Sequence, residues 1–136
     1  MAPLVSAATQ LWGMPLKVKV PFVFSVSGKT MPAGDYTLSE QGGSKNVLVI
    51  RDFEQKTAAG ALTQAVTGKG AAQKSRLEFR RYGTQYFQAN VWIAGQNEGL
   101  EFMRTAAERR AADELKNIAG RQAQPELVVV KMTAAE

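Results

Sequence analysis

An all-β fold, mainly antiparallel, is what this sequence predicts: a sandwich or barrel of about seven strands, with one helix near residues 99–119 before the last strand. Two observations carry that expectation. Apolar residues alternate at period two in short runs separated by Gly, Pro, Ser and Asn. The period then switches to three and four in a single stretch, with no βαβ rhythm anywhere.

The first run, "LKVKVPFVFSV" (16–26), places Leu16, Val18, Val20, Phe22, Phe24 and Val26 on one face, opposite Lys17, Lys19 and Ser25. That is a half-buried strand. Pro21 cannot donate to a ladder, so the strand lies at an edge or carries a bulge. Next comes "SGKTMPAGDYTL" (27–38), whose Gly28-Lys29-Thr30 spells the end of a phosphate loop. A phosphate loop also needs a glycine where Val23 stands, and a helix where Pro32 and Gly34 intervene. The stretch is instead a strand-to-strand corner, with Pro32 presetting one φ and Gly34 free to take a positive one.

"NVLVIRD" (46–52) is almost continuously apolar, which suits a strand covered on both faces. "TAAGALTQAVT" (57–67) is a thinner strand interrupted by Gly60. "SRLEFRRY" (75–82) turns Leu77 and Phe79 inward and Arg76, Glu78 and Arg80 outward. After Gly83-Thr84, "QYFQANVWIAG" (85–95) puts Phe87, Ala89, Val91 and Ile93 on one face, with Tyr86 and Trp92 on the other. In 99–119 the residues Leu100, Met103, Ala107, Ala111, Leu115 and Ile118 form a helical stripe. Arg104–Glu108, Arg109–Asp113 and Arg110–Glu114 are spaced as surface pairs, and Gly120 suits a C-cap. "ELVVVKM" (126–132) is the last strand. Residues 15–136 read as a single β-rich domain, preceded by an arm over 1–14.

"KVPFVFSVSGKTMPAGDYTL", "VLVIRD" and "FRRYGTQYFQANVW" together resemble a family of small exported bacterial β proteins. That family shows a PF-x-F strand, a Gly-Lys-x-Leu-Pro-Ala-Gly-Glu-Tyr corner, a Leu-Ile-Arg strand and an Arg-Tyr-Gly-x-x-Tyr-Phe hairpin. The likeness covers 18–105; Met31 stands where Leu is usual and Asp35 where Glu is usual. It implies export to the periplasm or beyond and an all-β fold, and it carries over no catalytic residue, cofactor or metal. The N-terminal "MAPLVSAATQ" lacks an intact signal peptide but resembles the end of one, so the leader is expected to be absent or already removed.

Composition narrows the chemistry. There is no cysteine, which excludes disulfides, thiol nucleophiles and zinc–thiolate sites, and no histidine, the commonest general base and transition-metal ligand. No apolar run reaches the roughly 18 residues of a membrane-spanning helix. The net charge of +5, from 17 Lys and Arg against 12 Asp and Glu, suits solubility and an acidic partner.

Four function classes are compatible with the pattern. Catalysis would have to use acids near the turns and the helix start (Asp35, Glu40, Asp52, Glu54, Glu98, Glu101), and no spacing forces any two together. Single-stranded nucleic acid would use a basic aromatic face of Lys69, Lys74, Arg76, Arg80, Arg81, Tyr82, Tyr86 and Trp92, which Glu78 interrupts. A small apolar ligand would need Phe22, Phe24, Leu77, Phe79 and Phe87 to line a pocket rather than fill a core. The sequence favours the fourth, a non-enzymatic structural role by self-assembly into an oligomer or filament. Its uncharged arm carries Leu4, Val5, Leu11, Trp12 and Met14, suited to adding as a strand to an open sheet edge. In this reading no cofactor is expected, the partner is another copy, and Arg80, Tyr82, Tyr86 and Trp92 are the remaining candidate binding face.

Overall fold

A computed structural model describes residues 16–41, 44–53 and 58–134. Ten strands and one helix follow in chain order: β1 (Leu16–Val20), β2 (Phe24–Val26), β3 (Lys29–Met31), β4 (Gly34–Gln41), β5 (Ser44–Asp52), β6 (Ala58–Thr67), β7 (Arg76–Tyr82), β8 (Gln85–Trp92), β9 (Glu98–Phe102), α1 (Ala106–Ala119) and β10 (Glu126–Ala134). Eight of them close an antiparallel ring in the order β8-β7-β10-β1-β4-β5-β6-β9, and β9 pairs back to β8. The expected all-β fold with one helix before its last strand is therefore a barrel rather than a sandwich. The short β2–β3 hairpin is extra, joined to β8 by one parallel pair, Ser25 with Phe87.

The single first strand expected over 16–26 is broken where its proline stands. β1 keeps the predicted alternation and ends at Val20; the chain leaves the barrel wall through Pro21 and resumes as β2 at Phe24. Without an N–H, Pro21 cannot continue the ladder, so the wall strand stops there. Phe22 turns inward, stacking on Tyr86 at 3.8 Å and meeting Phe79 edge-on at 5.0 Å.

The corner works differently from the sequence expectation. The left-handed residues are Ser27 (φ 51°) and Gly28 (φ 82°), while Gly34 keeps an ordinary φ. Val26 pairs with Lys29, so Ser27-Gly28 is a two-residue hairpin loop with both φ values positive, the type whose twist matches the flanking strands. Gly28-Lys29 thus serves a tight turn. Pro32-Ala33 then leads into β4, where buried Tyr36 donates its hydroxyl to the Pro32 carbonyl. That bond pins the strand to the turn before it.

Phe24, Met31, Tyr36, Leu38, Leu48, Leu77, Phe79 and Val91 are fully buried and fill the barrel. Phe24 lies 5.3 Å from the Tyr36 ring and 5.5 Å from Phe79, both edge-on. Side chains of this size each stabilise the fold by about 1.5–3 kcal/mol on burial. In β5, Leu48 and Ile50 are buried and Val47 and Val49 half-buried, so its outer face is partly covered.

A bulge overturns the face expected for 85–95. Glu78 pairs with Asn90 but Phe79 with Gln88, leaving Ala89 as an extra residue in β8. Phase slips by one there. Val91 faces the core, whereas Phe87 joins Tyr82 and Ala111 in a separate cluster under the helix.

The helix begins later than its stripe suggested. Residues 98–102 form β9, the strand that closes the ring, with Leu100 and Phe102 buried in the barrel. Helix α1 starts after Thr105, whose side chain caps the Glu108 N–H, and ends as expected at Gly120, whose N–H reaches the Lys116 carbonyl. Ile118, expected on the buried stripe, is 86% exposed, because only the first turns of α1 lie on β7. Among the described residues no helix is long and apolar enough to cross a membrane.

Candidate functional site

Arg80 and Tyr82 project from the outer face of β7 toward α1, and Glu108 from the first turn of the helix meets both. The Arg80 Nε donates to Glu108 Oε2 at 2.5 Å and the Tyr82 hydroxyl to the same oxygen at 2.8 Å. Glu108 is 2% exposed and Arg80 9%. This is a desolvated ion pair with its hydrogen bonds made, the condition under which a buried pair holds its place. The surface pair expected between Arg104 and Glu108 is replaced by this contact.

The same geometry shifts two groups. Burial alone would lower the Arg80 pKa, but the hydrogen bond to Glu108 and the charge of that carboxylate leave it raised. Tyr82 is raised above its ordinary 10.0, first by burial, then by its bond to Glu108 and the charge beside it. The fold therefore favours neutral Tyr82. That contribution is complete below pH 10 and is lost as pH rises through the raised folded value. Tyr82→Phe should cost roughly 1–3 kcal/mol at neutral pH, because a buried carboxylate loses a donor. It should also make the alkaline fall in stability shallower in a pH series of urea melts. Some alkaline fall should persist through Tyr36, which burial and then Asp52 also raise.

The basic aromatic face expected from sequence is dispersed. Arg80 and Tyr82 are buried under α1, and Tyr86 is stacked on Phe22. Arg81 lies 6.0 Å above the Tyr86 ring and pairs with Glu126 at 3.3 Å. Trp92 is half-buried, its Nε1 donating to Glu78 Oε1 at 3.0 Å with Arg76 above its ring. The four residues proposed as one binding face thus serve three separate packing contacts. Alternation alone could not show this, since it took the outward face of β7 to be solvent.

The pocket-lining set is likewise engaged elsewhere: Phe22, Phe24 and Phe79 pack on one another inside the barrel, and Phe87 lies outside it. Of the acids, Asp35 and Asp52 share an open hollow of about 310 Å³ beside the Pro32 corner. Glu101 accepts from Gln64 at 2.9 Å, Glu98 is exposed, Glu40 is half-buried, and Glu54 lies outside the described residues. No group of three or more metal-ligating side chains occurs among the described residues.

β10 is paired to different extents on its two sides. This strand pairs with β7 along Glu126–Lys131, but with β1 only from Met132 to Ala134. Because β1 ends at Val20 and the chain departs at Pro21, the β1-side edge of 126–131 carries no strand among the described residues. Along that free edge Leu127 and Val129 are 55% and 51% exposed, while Val128 and Val130 lean half-buried against the core. An aliphatic strand with one unpaired edge is a template for another strand. The arm residues Leu4, Val5, Leu11, Trp12 and Met14 lie outside the described residues.

No family model, no curated protein and no solved structure matches this chain.

Proposed function

We propose that this is an exported, non-enzymatic structural protein that assembles with itself, the N-terminal arm of one copy adding as a strand to the free edge of β10 in the next. The observation that carries this reading is the unpaired edge of Glu126–Lys131 with Leu127 and Val129 left exposed beside it. Natural sheets blunt such edges with charge, proline or a covering segment, and here three consecutive valines occupy the strand instead. Residues 1–14 supply a suitable occupant: they carry no charged side chain, and in an added strand Leu4, Trp12 and Met14 would share one face and Val5 and Leu11 the other. In strand addition, backbone bonds give affinity and alternate side chains give register. A head-to-tail contact of this kind yields a ring or a filament according to whether its rotation closes.

Light scattering over a concentration series, with negative-stain microscopy, tests the reading. The full chain should form rings or filaments. Deletion of residues 1–14, or Leu127→Lys with Val129→Lys, should each return a folded monomer. A 14.8 kDa monomer at every concentration, or an assembly indifferent to both changes, would overturn it.

A further inference from the structure

The loop 68–75 between β6 and β7 does not stand free. Gly68 N–H donates to the Asn97 carbonyl at 2.7 Å, Gly70 N–H to Asn97 Oδ1 at 2.9 Å and Ala72 N–H to the Gln96 carbonyl at 3.1 Å. Gly95 N–H returns a bond to the Ala72 carbonyl at 2.7 Å. Four bonds lash this loop to 95–97, so its rim has a fixed shape. Beneath it opens a groove of about 540 Å³, floored by Val129 of β10 and by loop alanines.

Its charge is one-sided. Lys69, Lys74, Arg76 and Lys131 line the groove, and no carboxylate does among the described residues. Arg76 is already committed to Glu78 at 2.9 Å and to the Trp92 ring. Lys69, Lys74 and Lys131 make no ion pair among the described residues, and all are exposed. Three unneutralised ammonium groups around one preformed hollow concentrate positive potential where a ligand would enter. The volume lies in the range of small-molecule sites.

The residue types narrow the ligand. Lysine presents a compact point charge with rotatable donors and no planar fork, so it recognises an oxyanion by charge, the way lysines bind phosphate, rather than by bidentate geometry. Trp92 is held by Glu78 and covers Gly68, and among the described residues no ring lines the groove for a base to stack on. We infer that this groove is a binding site for a soluble molecule carrying several phosphate- or sulfate-type groups, recognised by charge through Lys69, Lys74 and Lys131. The groove shares Val129 and Lys131 with the β10 edge of the proposed assembly, so an arm added there and a bound ligand would meet at this end of the strand.

Calorimetric titration of the full chain with inorganic tripolyphosphate tests the assignment. Saturable binding should appear at low ionic strength and weaken by at least about tenfold as salt rises past the range where the Debye length falls below ~10 Å. The Lys69→Ser/Lys74→Ser/Lys131→Ser variant should lose at least about tenfold in affinity. A variant with the same loss of charge on the helix, Arg109→Ser/Arg110→Ser/Lys116→Ser, should bind as the parent does. Equal weakening by both variants would reduce the effect to net charge and overturn the site. So would absence of binding. Attachment to anionic lipid vesicles that tripolyphosphate fails to displace would also overturn it, by making the ligand a membrane surface. Light scattering on the same samples keeps this outcome separate from any failure to assemble.

Discussion

Glu108→Ala should release helix α1 from the barrel while leaving the barrel folded. The substitution strips Arg80 of its carboxylate partner at a position only 9% exposed. An uncompensated buried charge of that kind costs about 3–5 kcal/mol. Little else holds the helix: its docked face offers Ala107, Ala111, Ala112 and Leu115 to Tyr82 and Phe87. Alanines bury little area, and at roughly 25 cal/mol per Å² they cannot absorb the loss. Hydrogen exchange should therefore show the amides of 109–118 losing protection, with β4, β5 and β7 unchanged. Far-UV circular dichroism should show helix melting ahead of strand. The triple variant Arg80→Met/Tyr82→Phe/Glu108→Leu, which also removes the Tyr82 hydroxyl that would lose its acceptor, should restore most of the docking, since apolar residues of similar volume replace buried pairs at little net cost. Unchanged helix protection in the single variant, or a triple variant as loose as the single, would show that the ion pair is not what holds α1.

How far the sequence revealed this molecule depended on whether a signal was local. Alternation in β1, β4 and β7 came through because inward residues such as Val18, Leu38 and Leu77 meet a core that any register of the ring would supply. β9 did not, because over so short a run Leu100 serves equally well in a helical stripe with Met103 or in a strand alternating with Phe102. The resolving signal was present in Thr105-Ala106-Ala107-Glu108, a capping-box spacing that starts a helix at Ala106. The Glu78–Asn90 bulge was invisible for another reason. An extra residue in one strand is defined only by its partner, and no local pattern around Ala89 announces it.

The candidate site divides along the same line. Arg80, Tyr82, Tyr86 and Trp92 were grouped because they fall outward on two neighbouring strands, but outward is not solvent once a helix or a hairpin covers the wall. Glu108 was assigned to a surface pair because its i−4 neighbour is Arg104, and the competing partner sits 28 residues away on β7. The sequence expected an open sheet edge without placing it. That 126–131 of β10 lacks a strand on its β1 side follows from β1 stopping at Pro21, a consequence of ring topology rather than of either segment alone.

The closing seam of the ring gives the second large effect. Gly99 of β9 lies between Val66 of β6 and Trp92 of β8, and β9 is the strand that joins those two walls. A Cβ at this position would stand 2.5 Å from the Val91 carbonyl oxygen and 2.6 Å from Trp92 Cε3. A free ring would swing aside, but this one has its Nε1 tied to Glu78 and its far edge already against Gly68. The carbonyl belongs to the β8 backbone and cannot yield without breaking the seam. Gly99→Ala should therefore cost at least about 2–3 kcal/mol, the upper part of the overpacking range. For a chain of this length that lowers Tm by roughly 6–15 °C. Gly60→Ala is the matched control, because its Cβ would meet Val47 Cγ1 at 3.8 Å, an ordinary contact, and should change stability by no more than about 0.5 kcal/mol. In a Trp12→Phe background the fluorescence of Trp92 reports the seam directly, and Gly99→Ala should shift its emission to the red as the ring is displaced toward water. A Gly99→Ala protein that melts with the parent and keeps its emission would mean that β8 and β9 do not meet at this register, and the ring would have to close elsewhere.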